Sequence, residues 1–201
     1  MGASSVQRLR AVTGGGVWAM LLLATPAMAI DHEALWALLQ RGGQVVVMRH
    51  AATEPGVGDP PGFRLAACRT QRNLSAAGRE QAQRLGAAWQ ARGVPIAQVL
   101  SSRWCRCLET ARLAFGTVEP WWPLDSLFQD RRREAAQTSL VRQCVGARPM
   151  TGNLILVTHQ VNITALTGIA PAAGEMVILT PQGESTFRLA GRLPPTAFGA
   201  P

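Results

Sequence analysis

The chain alternates between two hydrophobic rhythms. One is the short solid apolar run: "VVVM" at 45–48, "VL" at the end of "IAQVLS" and "LILV" at 154–157. Strands buried on both faces read this way, and they belong inside a parallel sheet. The other is apolar residues at helical spacing. Leu35, Leu38 and Leu39 mark one helix over 31–40, which Gly42-Gly43 stops. Ala82, Leu85, Ala88 and Trp89 form one face of a second helix, which Ser75 caps and which runs to about Arg92 before Gly93.

The same reading continues along the chain. It predicts strands over 44–48, 96–101 and 153–158, and helices over 102–115, 131–145 and 161–166. A hairpin follows, with strands over 175–180 and 185–189 around Pro181-Gln182-Gly183. A long Gly/Pro-rich loop spans 55–72, and loops of that length in a compact domain are usually functional or disordered. The segment 118–124 reads as irregular, and the tail 194–201 as disordered. Strands alternating with helices predict an α/β fold, a three-layer sandwich with a mostly parallel central sheet. A single domain over 30–193 accounts for the pattern.

Residues 1–29 follow a different logic. Arg8 and Arg10 form a basic start, "VWAMLLL" at 17–23 an apolar core, and Ala27-Met28-Ala29 a small-x-small site. That is a secretory signal peptide, and its apolar run is too short to span a bilayer. The expected product begins near Ile30, is periplasmic or secreted, and has no stable membrane insertion. Removing Arg8 and Arg10 lowers the net charge from +8 to +6. All the basic side chains are Arg, so any anion site is built from planar bidentate donors. They do not interleave with aromatics, which argues against a nucleic-acid groove. The four cysteines, Cys68, Cys105, Cys107 and Cys144, fit disulfides in an oxidising compartment. A Cys105–Cys107 ring would be strained, which leaves two connectivities open. The cysteine spacing does not suit a metal site, and no cofactor is called for.

The chemistry sits at the ends of the solid strands. "VVVMRH" and "LILVTH" are the same construction twice, each placing a histidine where its strand stops. Ligands of open α/β sheets bind beyond the carboxyl ends of the strands. Were both strands parallel and central, His50 and His159 would meet at one rim. Arg49 beside His50 suits an anion better than a metal. "SSRWCR" at 101–106 brings Arg103 and Arg106 to another strand end and helix start.

With those residues in view, the chain resembles the histidine phosphatase superfamily, of phosphoglycerate mutase-like fold. "MRHAAT", "NLSAAGREQAQRLG", "LSSRWCRCLETA" and "LILVTHQ" match its signatures in order. The resemblance implies a phosphate pocket of Arg49, His50, Arg106 and His159, with His50 as nucleophile and Arg103 secondary. It also implies metal-independent hydrolysis of a phosphomonoester through a phosphohistidine. The substrate would be a small phosphorylated molecule or a phosphorylated envelope component. A phosphomutase, or a phosphate-binding domain without turnover, are the alternatives on the same fold.

The chain also departs from the family pattern. Ala51 stands where Gly is usual, and Gln160-Val161-Asn162 follows the second histidine, which makes Gln160 and Asn162 candidates to meet substrate. The family's acid commonly follows the second strand–helix unit. Here that gives Asp130 first, which would equally cap a helix, then Asp125 and Glu134, with Glu54 further out. Glu109 reads as half of an ion pair within its own helix. Cys68 lies on the loop leaving His50 and Cys105 adjoins Arg106, so a disulfide between them would tie the substrate loop to the pocket.

Overall fold

The computed structural model describes residues 1–2, 32–147 and 151–199. The expected signal peptide lies outside the described residues. Among the described residues, no helix is long and apolar enough to cross a membrane.

The elements run α1 (His32–Gln40), β1 (Val45–Arg49), α2 (Ala76–Ala91), β2 (Ile96–Ser101), α3 (Cys105–Phe115) and β3 (Glu119–Pro120). Then come α4 (Glu134–Gly146), β4 (Asn153–Thr158), α5 (Gln160–Thr167), β5 (Met176–Gly183) and β6 (Thr186–Leu193). They build one six-stranded sheet of order β3-β2-β4-β1-β5-β6. The pairs β2–β3, β2–β4 and β1–β4 are parallel; β1–β5 and β5–β6 are antiparallel.

Alternation along β1 explains the layers. Val46 and Met48 face one way, into a core with α1, α2 and α3. Val45 and Val47 face the other way, onto α4 and α5. All four are essentially inaccessible, so the strand has no polar face to show. Glycines permit the closest approaches. A Cβ on Gly86 would sit 2.6 Å from the Ala114 carbonyl oxygen, which sets how near α2 lies to α3.

Two expectations are corrected here. Residues 194–199 are not a disordered tail: Pro195–Phe198 forms a 3₁₀ turn, and Phe198 is buried edge-on against Trp36. The hairpin also turns later than Pro181-Gln182-Gly183. Its strands pair through Gly183 and Thr186, and Glu184 and Ser185, both at positive φ, form the two-residue connection. Pro181 fits inside β5 because β1 pairs only as far as Leu179, which leaves that edge free, while on the other side the register with β6 shifts between Pro181 and Gly183.

The register places the site. Val45 pairs with Leu154 and Arg49 with Thr158, so His50 and His159 step off neighbouring parallel strands together. The His50 N–H still donates to the Thr158 carbonyl at 3.0 Å, and the Ser102 N–H donates to Val157 beside it at 2.9 Å.

Candidate active site

A cavity of about 330 Å³ opens at this rim, and Arg49, His50, Arg106 and His159 all line it. The His50 imidazole is fixed first by its own neighbour: Nδ1 lies 2.8 Å from the Ala51 carbonyl oxygen. A carbonyl only accepts, so Nδ1 carries the proton and Nε2 of the neutral ring is left with its lone pair. Ala51 and Ala52 are themselves held. The Ala51 N–H donates to Thr110 Oγ1 on α3, and the Ala52 N–H to Gln81 Oε1 on α2, each at 3.0 Å. The Ala52 carbonyl accepts from the Ser75 N–H, and Ser75 caps α2 through the Gly78 N–H. A Cβ on Gly78 would lie 1.8 Å from that carbonyl oxygen. Gly78 of "NLSAAG" is thus the residue that lets α2 start directly beneath the His50–Ala52 segment. Ala51, in place of the family's glycine, packs fully buried against Leu74 and Ala82.

His159 stands 5.5 Å from His50, ring centre to ring centre, at 69°. Arg106 Nη2 donates to its Nδ1 at 3.5 Å, so Nε2–H faces Ser102 Oγ at 2.8 Å, and Ser102 in turn reaches Asp125 at 3.5 Å. Both imidazoles are kept neutral. Burial, with the adjacent Arg106 charge, pushes His50 down to about 3. The same two causes, then His50 itself, hold His159 well below the usual range. Beneath His159 lies the Cys107 thiol, 3.5 Å from Nε2, which burial raises to about 12 and so keeps protonated and inert.

The guanidiniums set the charge of the cavity. Arg49 donates to Gln160 Oε1 at 2.8 Å and to the Pro171 carbonyl at 2.9 Å, but its Nε is buried without a partner. Arg106 Nε and Arg72 Nε are likewise buried and unpartnered among the described residues. Three guanidiniums lining one cavity suit an anion that offers acceptor oxygens.

Two residues of the site were not singled out from the sequence: Arg72 and Asp59. The Asp59 carboxylate is 5% exposed and accepts from Arg106 Nη1 at 2.7 Å and Nη2 at 3.3 Å. It also accepts from the Arg72 backbone N–H at 3.0 Å and from Trp104 Nε1 at 2.9 Å. Burial raises its pKa, but these donors and the Arg106 charge together outweigh burial and leave it below the usual carboxylate range. The signal for Asp59 was present: it is the one acid between Glu54 and Glu80, in a stretch with several Arg.

Other expected residues lie elsewhere. Asp130 does not line the cavity; it caps the 3₁₀ turn Arg131–Arg133 through the Arg132 N–H at 3.2 Å and pairs with Arg132 and Arg133. Asp125 is buried outside the cavity lining, gripped by the Arg103 backbone N–H at 2.9 Å and its Nε at 2.8 Å. That contact takes Arg103 out of the pocket as well. The Asn162 amide donates to the Asp125 carbonyl at 2.8 Å, and its oxygen accepts from the Leu127 N–H at 3.3 Å, so it holds a loop. Glu134 pairs with Arg131, Glu54 is exposed, and Glu109 pairs across helices with Arg79 at 2.8 Å instead of within its own. Gln160 does line the cavity. Cys68 and Cys105 are joined by a disulfide, which ties the loop to the start of α3; Cys107 and Cys144 are free, so no second disulfide forms.

The sequence profile of the histidine phosphatase superfamily (branch 1) matches residues 45–134. Over those residues the chain is similar to the histidine phosphatase superfamily. Solved structures carry the same fold. The protein histidine phosphatase SixA complexed with tungstate aligns at TM-score 0.52 and 15% identity, over 76% of this chain and 97% of its own. Phosphoserine phosphatase from Entamoeba histolytica, in complex with 3-phosphoglyceric acid, aligns at 0.54 and 12%, over 77% and 98%. A mycobacterial glucosyl-3-phosphoglycerate phosphatase with bound VO3 aligns at 0.52 and 19%, over 74% and 97%. No curated protein matches the chain. The match ends before β4, and His159 comes beside His50 through the pairing of β4 with β1.

Proposed function

We propose that this protein is an exported histidine phosphatase that hydrolyses a phosphomonoester through a phosphohistidine on His50. The observation that carries the reading is a pinned, neutral imidazole with Nε2 free, in a cavity lined by three guanidiniums. In the first step the Nε2 lone pair attacks phosphorus in line, and the bond from phosphorus to the leaving oxygen breaks. Arg49, Arg72 and Arg106 hold the equatorial oxygens as charge redistributes over them, and His159 orients Arg106 through its Nδ1. In the second step water attacks phosphorus, the N–P bond breaks, and phosphate leaves. Keeping His50 neutral is what makes its nitrogen a nucleophile. Export is supported by the sequence of residues 1–29 and by the Cys68–Cys105 disulfide, which suits an oxidising compartment.

A second reading, a phosphate-ligand-binding domain without turnover, draws on the exclusion of Asp125, Asp130 and Glu134 from the cavity. The test is phosphate release by residues 30–201 over a panel of phosphomonoesters, beside His50→Ala. Turnover lost by at least about 10³-fold in the variant supports the phosphohistidine reading. Absent turnover, with phosphate binding that needs Arg49 and Arg106, supports the silent domain.

A further inference from the structure

The expected acids are all held outside the pocket, yet an alkoxide leaving group needs a proton. Among the residues lining the cavity, Asp59 is the one carboxylate. It is buried, and all its hydrogen bonds come from groups at the site: the Arg106 fork, Trp104 Nε1 and the Arg72 N–H. Its loop is fastened to the start of α3, next to Arg106, by the Cys68–Cys105 disulfide.

We propose that Asp59 is the proton donor to the leaving oxygen, armed when the substrate takes over the Arg106 fork. The proposal rests on the phosphohistidine reading above. In the free site Arg106 holds Asp59 as a carboxylate. A phosphoryl group that docks on Arg106 competes for the same N–H donors and sets negative charge beside Asp59. Both effects favour the neutral carboxyl. The proton arrives with the substrate. A monoester monoanion carries one proton on its phosphoryl oxygens and passes it to Asp59 on docking. As the Nε2–P bond forms and the P–O bond breaks, Asp59 gives that proton to the departing oxygen, and the product is a neutral alcohol. In the second half-reaction Asp59 takes a proton from the attacking water, whose oxygen bonds to phosphorus as N–P breaks. The phosphate dianion leaves, and Asp59 returns its proton to solvent as Arg106 closes on it again.

A residue that only positioned Arg106 would look similar in the free structure. The two roles separate through the leaving group. Asp59→Asn keeps the shape and removes the proton. With glycerol phosphate, whose alcohol must be protonated to leave, kcat/KM is expected to fall by about 10²–10⁴-fold. With dinitrophenyl phosphate, whose phenolate leaves unaided, it is expected to stay within about 10-fold. Equal losses on both esters would mean positioning alone, and no loss on either would remove Asp59 from the reaction; each overturns the proposal. Trapping of a labelled phosphoryl group on wild-type enzyme and on Asp59→Asn, with His50→Ala as blank, tests the underlying reading separately. Label on His50 together with uniform losses sinks the acid alone. No label and no release from dinitrophenyl phosphate in the wild type sinks the phosphohistidine reading and the acid with it.

Discussion

His50 and His159 are neutral because the fold makes charging them costly, and that cost is measurable as a pH dependence of stability. His50 goes from the usual 6.5 in the unfolded chain to about 3 in the folded one. Protons therefore bind the unfolded state more readily, and stability falls as pH drops below 6.5, with the loss complete once pH is below about 3. Integrated from about pH 7.5 to about pH 5, the His50 contribution alone is about 2 kcal/mol; over the whole interval it is about 5 kcal/mol. His159 acts in the same direction. The assay is urea unfolding at the two pH values for wild type and His50→Gln, a side chain that cannot charge. Carboxylates titrate alike in both proteins, so they cancel in the difference. His50→Gln is expected to lose about 2 kcal/mol less than wild type on acidification. Parallel losses, within about 0.5 kcal/mol, would refute the claim that burial and Arg106 hold this imidazole neutral. The kinetic counterpart is that the nucleophile stays competent in acid, so the acid limb of kcat/KM set by His50 falls well below the usual histidine range.

The disulfide and one glycine give two more tests. Cys68 and Cys105 are 37 residues apart, and releasing a loop of that length, as in the double variant Cys68→Ala/Cys105→Ala, is expected to cost about 4 kcal/mol of unfolding free energy. A loss below about 1 kcal/mol by guanidinium titration would show that the loop is held without it. Gly78→Ala places a Cβ 1.8 Å from the Ala52 carbonyl oxygen, so α2 and the His50–Ala52 segment must separate. About 1–3 kcal/mol of stability is expected to go with it, together with slower phosphorylation of His50 in a single-turnover assay. An unchanged phosphorylation rate would uncouple α2 from the nucleophile.

What was legible in the sequence was whatever periodicity or strand-end position controls. The solid apolar runs fixed β1 and β4 as interior strands, and their shared ending placed His50 beside His159 before any coordinate did. Ser75 and Gly93 bounded α2 to within two residues. The misses share a different cause. Asp59 and Asp125 swap apparent importance because tertiary partners decide where a loop carboxylate points: Arg103 claims Asp125, and Arg106 claims Asp59. No periodicity runs through 55–72, and its path is set by the disulfide and by hydrogen bonds such as Arg72 to Thr53. The hairpin was misplaced because Glu184-Ser185 adopts a turn usually marked by Asn-Gly, while Pro181-Gln182-Gly183 carries turn-forming residues within a strand.

The cavity's side chains also have an arithmetic of charge. With both imidazoles neutral, three guanidiniums and one carboxylate leave it with two net positive charges. A phosphomonoester monoanion that hands its proton to Asp59 becomes a dianion held by three guanidiniums; a diester or a sulfate ester has no proton to hand over and leaves the Asp59 carboxylate facing a second negative charge. Inorganic phosphate near neutral pH also includes a monoanion with a proton to give, so the end product meets the same electrostatics as the reactant. Under the proposed hydrolysis, phosphate competes with substrate for the same guanidiniums, and turnover is expected to rise as phosphate becomes scarce.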